Sequence, residues 1–359
     1  MLELLGESAL NWLLLAVPIS ILLSLFQAPG AIIFASAAVA LVPLAALIGQ
    51  STEDIAKHTG PVLGGLLSAS FGNATELVVA ILALVHGLDE VVKASITGSI
   101  IGNALLVLGM SMIAAGIGRE RVFFNRVAAA TSSATLLLAV TALVMPAVFN
   151  LTVYGRLQGT SPALEQLSLL VAIVLIATYG LSLVFSLVTH RALLVNLAEV
   201  PEQPEIGPGS SMAILFVVTL VTTLESDLLV GTIEVTTRAL GITEFFVGVI
   251  IIAIVGNAAE HLSALLVARH GQMDLAVHIA TGSSTQIAVF VAPLLVIVSW
   301  LIGRPMSLVF NPFEIAAVAL ASIIVTIAAL DGETNWFEGV QLVAVYLILA
   351  IAFFYVPVP

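Results

Sequence analysis

The sequence predicts an all-α polytopic membrane protein with about eleven transmembrane helices, arranged as one N-terminal helix and two inverted five-helix repeats. Three observations support this prediction. The chain of 359 residues is 60% hydrophobic, apolar stretches long enough to cross a membrane follow one another along it, and a polar motif recurs at a fixed spacing. Because a helix crosses a bilayer with about 20 apolar residues, a chain of this length accommodates eleven crossings joined by short loops.

The composition excludes several classes of protein. Charged residues make up only 9% of the chain, against about 25% in soluble proteins, and the mean hydropathy is +1.19. We therefore expect a lipid bilayer to surround most of the chain. The absence of cysteine removes disulfides, thiolate metal sites and cysteine nucleophiles. The formal net charge of −12 has the wrong sign for a nucleic-acid partner.

Eleven apolar stretches follow one another, six before a polar segment and five after it. The first begins without the basic residues of a cleaved signal peptide, so we interpret it as a retained helix. The polar segment contains three prolines and three spaced acids, which are Glu199, Glu202 and Glu205. The stretches lie at about 9–26, 29–50, 60–87, 90–117, 125–149, 165–189, 211–238, 243–269, 274–303, 312–330 and 337–356.

This order gives four predicted regions. They are an N-terminal transmembrane helix (1–28), a first five-helix repeat (29–190), an acidic cytoplasmic linker (191–210) and a second five-helix repeat (211–359).

The positive charges indicate the orientation. With the N-terminus inside, six of the ten Lys and Arg residues lie in cytoplasmic loops and four on the other side. Because cytoplasmic loops are enriched in positive charge, we expect the N-terminus and the acidic linker in the cytoplasm. Short termini and loops favour a prokaryotic plasma membrane, although a vacuolar protein would look similar. The oligomeric state stays open between a monomer and a homo-oligomer.

An internal repeat is the strongest signal of organisation. Segments 72–99 and 256–283 align without a gap at a shift of 184 residues, and 11 of 28 positions are identical. The identities include Asn, Glu, His and Ser, which apolar helices do not share by chance as readily as Leu or Ala. The two copies lie on the third and eighth stretches, an odd separation, so they cross the membrane in opposite directions. Inverted repeats are typical of secondary transporters, whose substrate site lies where the repeats meet.

Glu76 and Glu260 are the first candidates for a functional site. Each lies near the middle of an apolar stretch, where a carboxylate is costly and marks a functional position by default. No Lys or Arg lies within ten residues of Glu76 on its stretch, and Arg269 is nine residues from Glu260. The alternative is an acid that is kept protonated and hydrogen-bonded to a neighbouring helix.

Each acid follows a Gly-Asn pair by three and four residues, so Asn73 and Asn257 share a helical face with the acids. The glycines permit close approach or a local break that frees backbone carbonyls. Hard cations such as Ca²⁺ bind carboxylate, amide and carbonyl oxygens, so two copies of this face predict a cation site of charge −2. A helix–helix hydrogen bond is the alternative role for the asparagines.

The next stretch of each half adds polar side chains at helical spacing, which predict a path for ions or protons. They are Ser99 with Asn103 and Ser283 with Gln286. His261, directly after Glu260, is a candidate to move protons or to position the acid. Helix packing for the serines and a structural role for the histidine are the alternatives.

Three acids of the seventh stretch, Glu225, Asp227 and Glu234, suggest a water-facing flank that draws cations inward. A solvated surface is the alternative for acids of this kind.

The motifs GNATE (72–76) and GNAAEH (256–261) resemble those of the cation/proton exchanger family, the Ca²⁺/H⁺ antiporters of the cation/Ca²⁺ exchanger superfamily. Gly-Gly-Leu-Leu at 64–67, GSxxxN at 98–103 and GSSTQIAVFVAP at 282–293 match as well, and the resemblance covers about 50–305. The related sodium-coupled exchangers typically carry a Gly-Thr-Ser-x-Pro-Glu type of motif at the acids, so GNATE indicates proton coupling.

The resemblance implies eleven helices, with an acidic cytoplasmic segment between helices six and seven. It also implies that Glu76 and Glu260 bind Ca²⁺ and protons in turn, with Asn73 and Asn257 as neighbours. The polar paths would be lined by Ser99, Asn103, Ser283 and Gln286. The acidic segment here holds only three spread acids, so we expect no regulatory Ca²⁺ site in it.

The leading hypothesis is a secondary active antiporter that exports cytosolic Ca²⁺ in exchange for H⁺. Ca²⁺ and protons are then transported substrates, and no cofactor is expected. Sodium-coupled Ca²⁺ exchange is the alternative within transporters, and a passive channel is a further option. An intramembrane acid–base enzyme is the alternative from another class, but the sequence has no HExxH motif and no nucleophile beside a base, so we expect no enzyme.

Overall fold

A computed structural model describes residues 12–59, 61–156, 159, 161–189 and 207–356. Within these ranges the structure is helical almost throughout, which confirms the predicted all-α class. The helices are α1 (Ala16–Leu25), α2 (Gly30–Thr59), α3 (Pro61–Phe71), α4 (Ala74–Val85), α5 (Asp89–Ile101), α6 (Leu108–Gly116), α7 (Arg126–Tyr154), α8 (Pro162–Val184), α9 (Pro208–Gly231), α10 (Ile233–Leu240), α11 (Glu244–Phe246), α12 (Ala253–Gly256), α13 (Ala258–Arg269), α14 (Met273–Gln286), α15 (Ala292–Leu301), α16 (Pro312–Ala328) and α17 (Trp336–Phe354).

Several helices continue through π-helical segments, in which one extra residue widens the turn, a feature often found at functional sites. A two-stranded antiparallel ribbon, with Val122 opposite Thr334, joins two loops. The π-helical segments are π1 (Gly102–Val107), π2 (Phe185–Thr189), π3 (Val247–Ile252) and π4 (Ile287–Val291), and the strands are β1 (Val122–Phe123) and β2 (Glu333–Thr334).

The described chain forms two compact units, and each unit takes segments from both halves of the sequence. The first contains the described residues up to Val91 and those from 207 to Ala259, and the second contains the rest. The predicted repeats are therefore a pattern of the sequence and do not coincide with the compact units.

In the first unit, α2 packs along α9, and both contact α4. Leu44, Ile48 and Ile55 of α2 meet Leu215 and Val218 of α9 in a buried apolar cluster. These side chains recur at three-, four- and seven-residue spacings, which is the apolar stripe expected of packed helices. Ala74, the first residue of α4, belongs to the same cluster, which packs the start of the helix that carries Glu76 against α2 and α9.

In the second unit, α14 packs against α7 and π1, and α6 packs against α17. The last pair meets at two glycines, because a Cβ atom on Gly109 would lie 2.8 Å from the carbonyl oxygen of Gly339. Small residues at a crossing let membrane helices approach closely. Asn125 caps α7 by accepting hydrogen bonds from the N–H groups of Val127 and Ala128.

Among the described residues, seven helical segments are long and apolar enough to cross a membrane, or eight if α10 and the Glu244–Gly256 segment, bent by 113°, form one crossing. Three shorter apolar helices, α1, α4 and α16, have 10 to 17 residues. A polytopic membrane protein is thus confirmed, and the count of eleven stays a prediction.

The 184-residue shift of the sequence repeat also relates the backbone elements. It places α4 (74–85) on α13 (258–269), residue for residue at both ends, and π1 within one residue of the start of π4. At the end of each helix a histidine, His86 or His270, donates from Nδ1 to the carbonyl four residues earlier, at 2.9 and 2.8 Å. Both histidines thus cap the C-terminal ends of the two matched helices. The opposite direction of the two copies stays a prediction.

Part of the predicted organisation lies outside the described residues. The acidic linker with Glu199, Glu202 and Glu205 belongs to the undescribed segment 190–206, apart from its last residues, and α9 begins at Pro208. Residues 1–11 of the predicted N-terminal helix are also outside it.

Candidate functional site

Each copy of the repeated motif interrupts its helix. Gly72 and Asn73 form a turn between α3 and α4, and Asn257 lies between α12 and α13. The backbone of Asn257 has φ −93° and ψ 14°, outside the helical region. Whether the Asn and Glu oxygens point the same way stays a prediction, but each motif copy adopts the local break that its glycine permits. The physical reason is that glycine weakens a helix interior and asparagine favours the position that precedes a helix.

The interruption places both acids at the start of a new helix. Glu76 is the third residue of α4, and Glu260 is the third residue of α13. The first turn of a helix carries partial positive charge from unsatisfied N–H groups, which stabilises a carboxylate there. Discontinuous helices with such termini form the ion and substrate sites of many secondary transporters.

Within the first unit, the second copy of the motif contacts the acid of the first copy. A Cβ atom on Gly256 would lie 3.1 Å from Cγ and 3.9 Å from Oε1 of Glu76. Both carboxylate oxygens of Glu76 are buried. The repeat therefore brings Glu76 and the Gly256–Asn257 turn together, although 180 residues separate Glu76 from Gly256 in the chain.

Glu260 begins the part of α13 that belongs to the second unit. Its Oε2 atom is buried and has no hydrogen-bond partner among the described residues. The sequence prediction that the two carboxylates face one another stays a prediction.

The two asparagines are both buried, with 2% of Asn73 and none of Asn257 exposed. The side-chain amide Nδ2 of Asn257 donates to the carbonyl oxygen of Ala253 at 2.9 Å. This bond runs to the preceding turn and supports the end of α12. The helix–helix hydrogen bond considered as the alternative role for Asn257 stays a prediction.

Two of the polar residues predicted to line a path are in contact within the second unit. Asn103 lies in π1, and its Nδ2 donates to Oγ of Ser283 in α14 at 2.9 Å. Ser99, one turn before Asn103, is buried as well, and Gln286 is half-buried at the end of α14, directly before π4. Both amides therefore lie where a helix changes to π geometry. His261 is half-buried in the first turn of α13, beside Glu260.

The three acids of the seventh stretch do not form one water-facing flank, so that prediction is wrong. Glu225 in α9 is fully buried. Asp227 is exposed, with Oδ1 3.7 Å from Nε2 of His86. Glu234 lies on another helix, α10, and pairs with Arg238. The two-residue spacing turns Glu225 and Asp227 to opposite sides of α9, and α9 ends at Gly231, so Glu234 belongs to a separate helix.

Sequence reasoning missed two buried polar residues. Glu314 is 1% exposed, accepts a hydrogen bond from Thr97 at 3.1 Å and completes a capping box with Asn311 at the start of α16. Ser20 is fully buried and bonded to Glu225. The Asn-Pro-Phe-Glu pattern at 311–314 is a recognisable cap and could have revealed Glu314. Nothing local marks Ser20.

Membrane-crossing helices with buried acids at the starts of interrupted helices define the architecture of secondary transporters. The chain belongs to the sodium/calcium exchanger protein family, which matches residues 29–188 and 210–355.

Two relatives and a solved structure are similar over nearly their whole lengths. The Ca²⁺/H⁺ antiporter of Synechocystis sp. is 48% identical over 90% of this chain and 91% of its own length. The Ca²⁺/H⁺ antiporter of Aphanothece halophytica is 46% identical over 96% of both chains. The crystal structure of the selenium-substituted Ca²⁺/H⁺ antiporter protein YfkE has a TM-score of 0.84 at 38% identity, over 98% of this chain and 100% of its own.

Proposed function

We propose that this chain is a secondary active antiporter that exports cytosolic Ca²⁺ in exchange for H⁺ by alternating access. The observation that carries the proposal is the contact of Glu76 with Gly256, since it joins the two copies of one acid motif. Relatives 46–48% identical over at least nine tenths of this chain are named Ca²⁺/H⁺ antiporters, which supports the same assignment.

Charge balance couples the two ions in this mechanism. Two carboxylates in a medium of low dielectric constant are unfavourable while both are ionised and unneutralised. Glu76 and Glu260 therefore bind either protons or one Ca²⁺, and the ion that arrives displaces the other. The doubly charged empty site is too costly to reorient across the membrane, so Ca²⁺ leaves only when protons enter.

The surrounding groups supply further oxygens and partial charges. Asn73 and Asn257 flank the helix breaks, and their amide oxygens are ligands that Ca²⁺ accepts. The helix starts that carry the acids add positive partial charge, so the ionised, Ca²⁺-bound form of each acid is stabilised. Water, ions or protons reach the acids along a polar path, which is formed by Ser99, Asn103, Ser283, Gln286 and His261.

Sodium-coupled exchange is the second candidate, because the family to which the chain belongs is named after sodium/calcium exchangers. The motif GNATE favours protons as the coupling ion. Replacing the proton gradient by a sodium gradient in the same vesicles distinguishes proton-coupled from sodium-coupled exchange.

The named relatives are transport proteins and not enzymes, so we propose no catalytic reaction. We place the protein in a prokaryotic plasma membrane with its N-terminus in the cytoplasm.

The experiment is ΔpH-driven Ca²⁺ uptake into everted bacterial membrane vesicles that contain the protein. Glu76→Gln and Glu260→Gln each keep the size of the side chain but remove its charge, and we expect each to abolish uptake. Glu234→Gln is the matched control, because Glu234 is exposed and paired with Arg238. Uptake retained in both site variants would exclude this site.

A further inference from the structure

Glu225 and Ser20 form a buried polar contact between α9 and α1. Both residues are 0% exposed. Two neighbours of Glu225 on α9, Thr222 and Ser226, are also fully buried, and their hydroxyl groups have no hydrogen-bond partner among the described residues. A carboxyl group thus lies among hydroxyl groups in the apolar interior, outside the motif that contains Glu76.

Counting protons at this contact determines what neutralises the carboxyl group. Oγ of Ser20 lies 2.8 Å from the carbonyl oxygen of Val17 and 2.7 Å from each carboxyl oxygen of Glu225. A hydroxyl has one proton to donate and accepts through its lone pairs. If Glu225 were ionised, the single proton of Ser20 would point at only one of these three oxygens. The other two oxygens would then lie at hydrogen-bond distance from Oγ of Ser20 with no proton on the line to it.

We infer that Glu225 is a proton-binding site, in which the carboxyl group keeps a proton and donates it to Ser20. The hydroxyl of Ser20 then donates to Val17, so two of the three short oxygen–oxygen distances hold a proton, against one of three if Glu225 were ionised. The ligand of this site is a proton and not a metal ion. The inference concerns α1 and α9 and does not depend on the proposed transport function.

The ionisable groups of the helices packed against α9 have partners of their own. On α2, Lys57 pairs with Glu53 and Asp54 at 3.1 and 3.9 Å. On α10, Arg238 pairs with Glu234. Both cations are thereby engaged by other acids, and α1 contains no ionisable residue. The remaining ionisable groups of α2, α4 and α9 are His58, Glu76, His86 and Asp227.

Infrared spectroscopy tests the inference, because a protonated carboxyl group has a carbonyl stretching band that a carboxylate lacks. Wild-type protein and variants are measured in lipid nanodiscs at neutral pH, without Ca²⁺ and with potassium as the cation. We expect the wild-type minus Glu225→Gln difference to show one carboxylic acid band. Glu234→Gln is the matched control and should leave that band in place.

A second variant keeps the test valid if Glu225→Gln does not fold. Ser20→Ala retains the carboxyl group but removes its hydrogen-bond partner, so the band should persist at a shifted frequency. Two results would overturn the inference. One is a spectrum in which neither variant changes a carboxylic acid band. The other is loss of the Glu225-dependent band, the one absent from Glu225→Gln, when NaCl or CaCl₂ is added. The second result would mean that a metal ion replaces the proton.

Discussion

Gly256 lies against the side chain of Glu76, so close that a Cβ atom on this glycine would stand 3.1 Å from Cγ of the acid. Carbon atoms in favourable contact are about 3.5–4.0 Å apart. Only glycine at 256 therefore leaves room for the present position of Glu76. The glycine of one motif copy thus sets the position of the acid of the other.

Substitution of Gly256 by Ala should displace the carboxylate of Glu76 by a few tenths of an ångström. We expect the Ca²⁺ concentration for half-maximal transport to rise about tenfold, which corresponds to about 1.4 kcal/mol. Ca²⁺ titration of uptake in vesicles measures this change. Gly49→Ala in α2 is the control, because nothing lies within 4 Å of the added methyl group. A folded Gly256→Ala variant with unchanged Ca²⁺ dependence would mean that the position of Glu76 does not matter for binding.

Asn257→Asp separates two roles of this residue. If only the oxygen of Asn257 mattered, a carboxylate would serve a cation as well as the amide. The structure uses the amide nitrogen too, in the bond to Ala253, and aspartate would place an acceptor against that carbonyl oxygen. We expect a loss of stability of about 1–3 kcal/mol, measured by unfolding in detergent, together with reduced transport.

The control for this prediction is Asn311→Asp. Oδ1 of Asn311 accepts a hydrogen bond from the N–H of Phe313 to cap α16, a role that an aspartate fills equally well. Its stability should therefore change little. Equal stability of Asn257→Asp and the wild type would contradict the donor role of Asn257.

The sequence was sufficient to predict the all-helical membrane class and the recurrence of the acid motif, because hydropathy and the repeat can be read directly along the chain. The sequence allowed two roles for the glycines of the motifs, a helix break and close approach of a neighbouring segment. The structure has the helix break at both motifs, and it has close approach at Gly256 as well. The Gly256–Glu76 contact could not be predicted in the same way, since it depends on which distant segments pack together. Glu225 shows the same limit, because its partner Ser20 lies 205 residues away.

Ca²⁺ should release protons from the purified protein in a weakly buffered solution. The two acids, Glu76 and Glu260, set an upper limit of two protons per bound Ca²⁺, because the metal replaces the protons that neutralise the empty site. Glu76→Gln removes one titratable group, so release should fall at least by half. Simultaneous pH recording and Ca²⁺ titration measure the ratio, and Glu234→Gln should match the wild type. Ca²⁺ binding without proton release would contradict proton coupling.

The hydrogen bond between Asn103 and Ser283 should appear as a coupling energy in a double-mutant cycle. Asn103 is fully buried, so Ser283→Ala leaves a buried amide without this acceptor, and we expect it to cost about 1–3 kcal/mol of unfolding free energy. Asn103→Ala should cost a similar amount. The double variant should cost less than the sum of the two single variants, with an interaction energy of about 0.5–3 kcal/mol. The reason is that the second substitution removes the other partner of a hydrogen bond that the first substitution has already broken. Unfolding in detergent measures all four free energies.

Ser299→Ala serves as the control partner for Asn103→Ala, because Ser299 accepts a hydrogen bond from the N–H of Met306 and not from Asn103. The costs of these two substitutions should therefore add. Additive costs for Asn103 and Ser283 would mean that the hydrogen bond between them does not stabilise the protein.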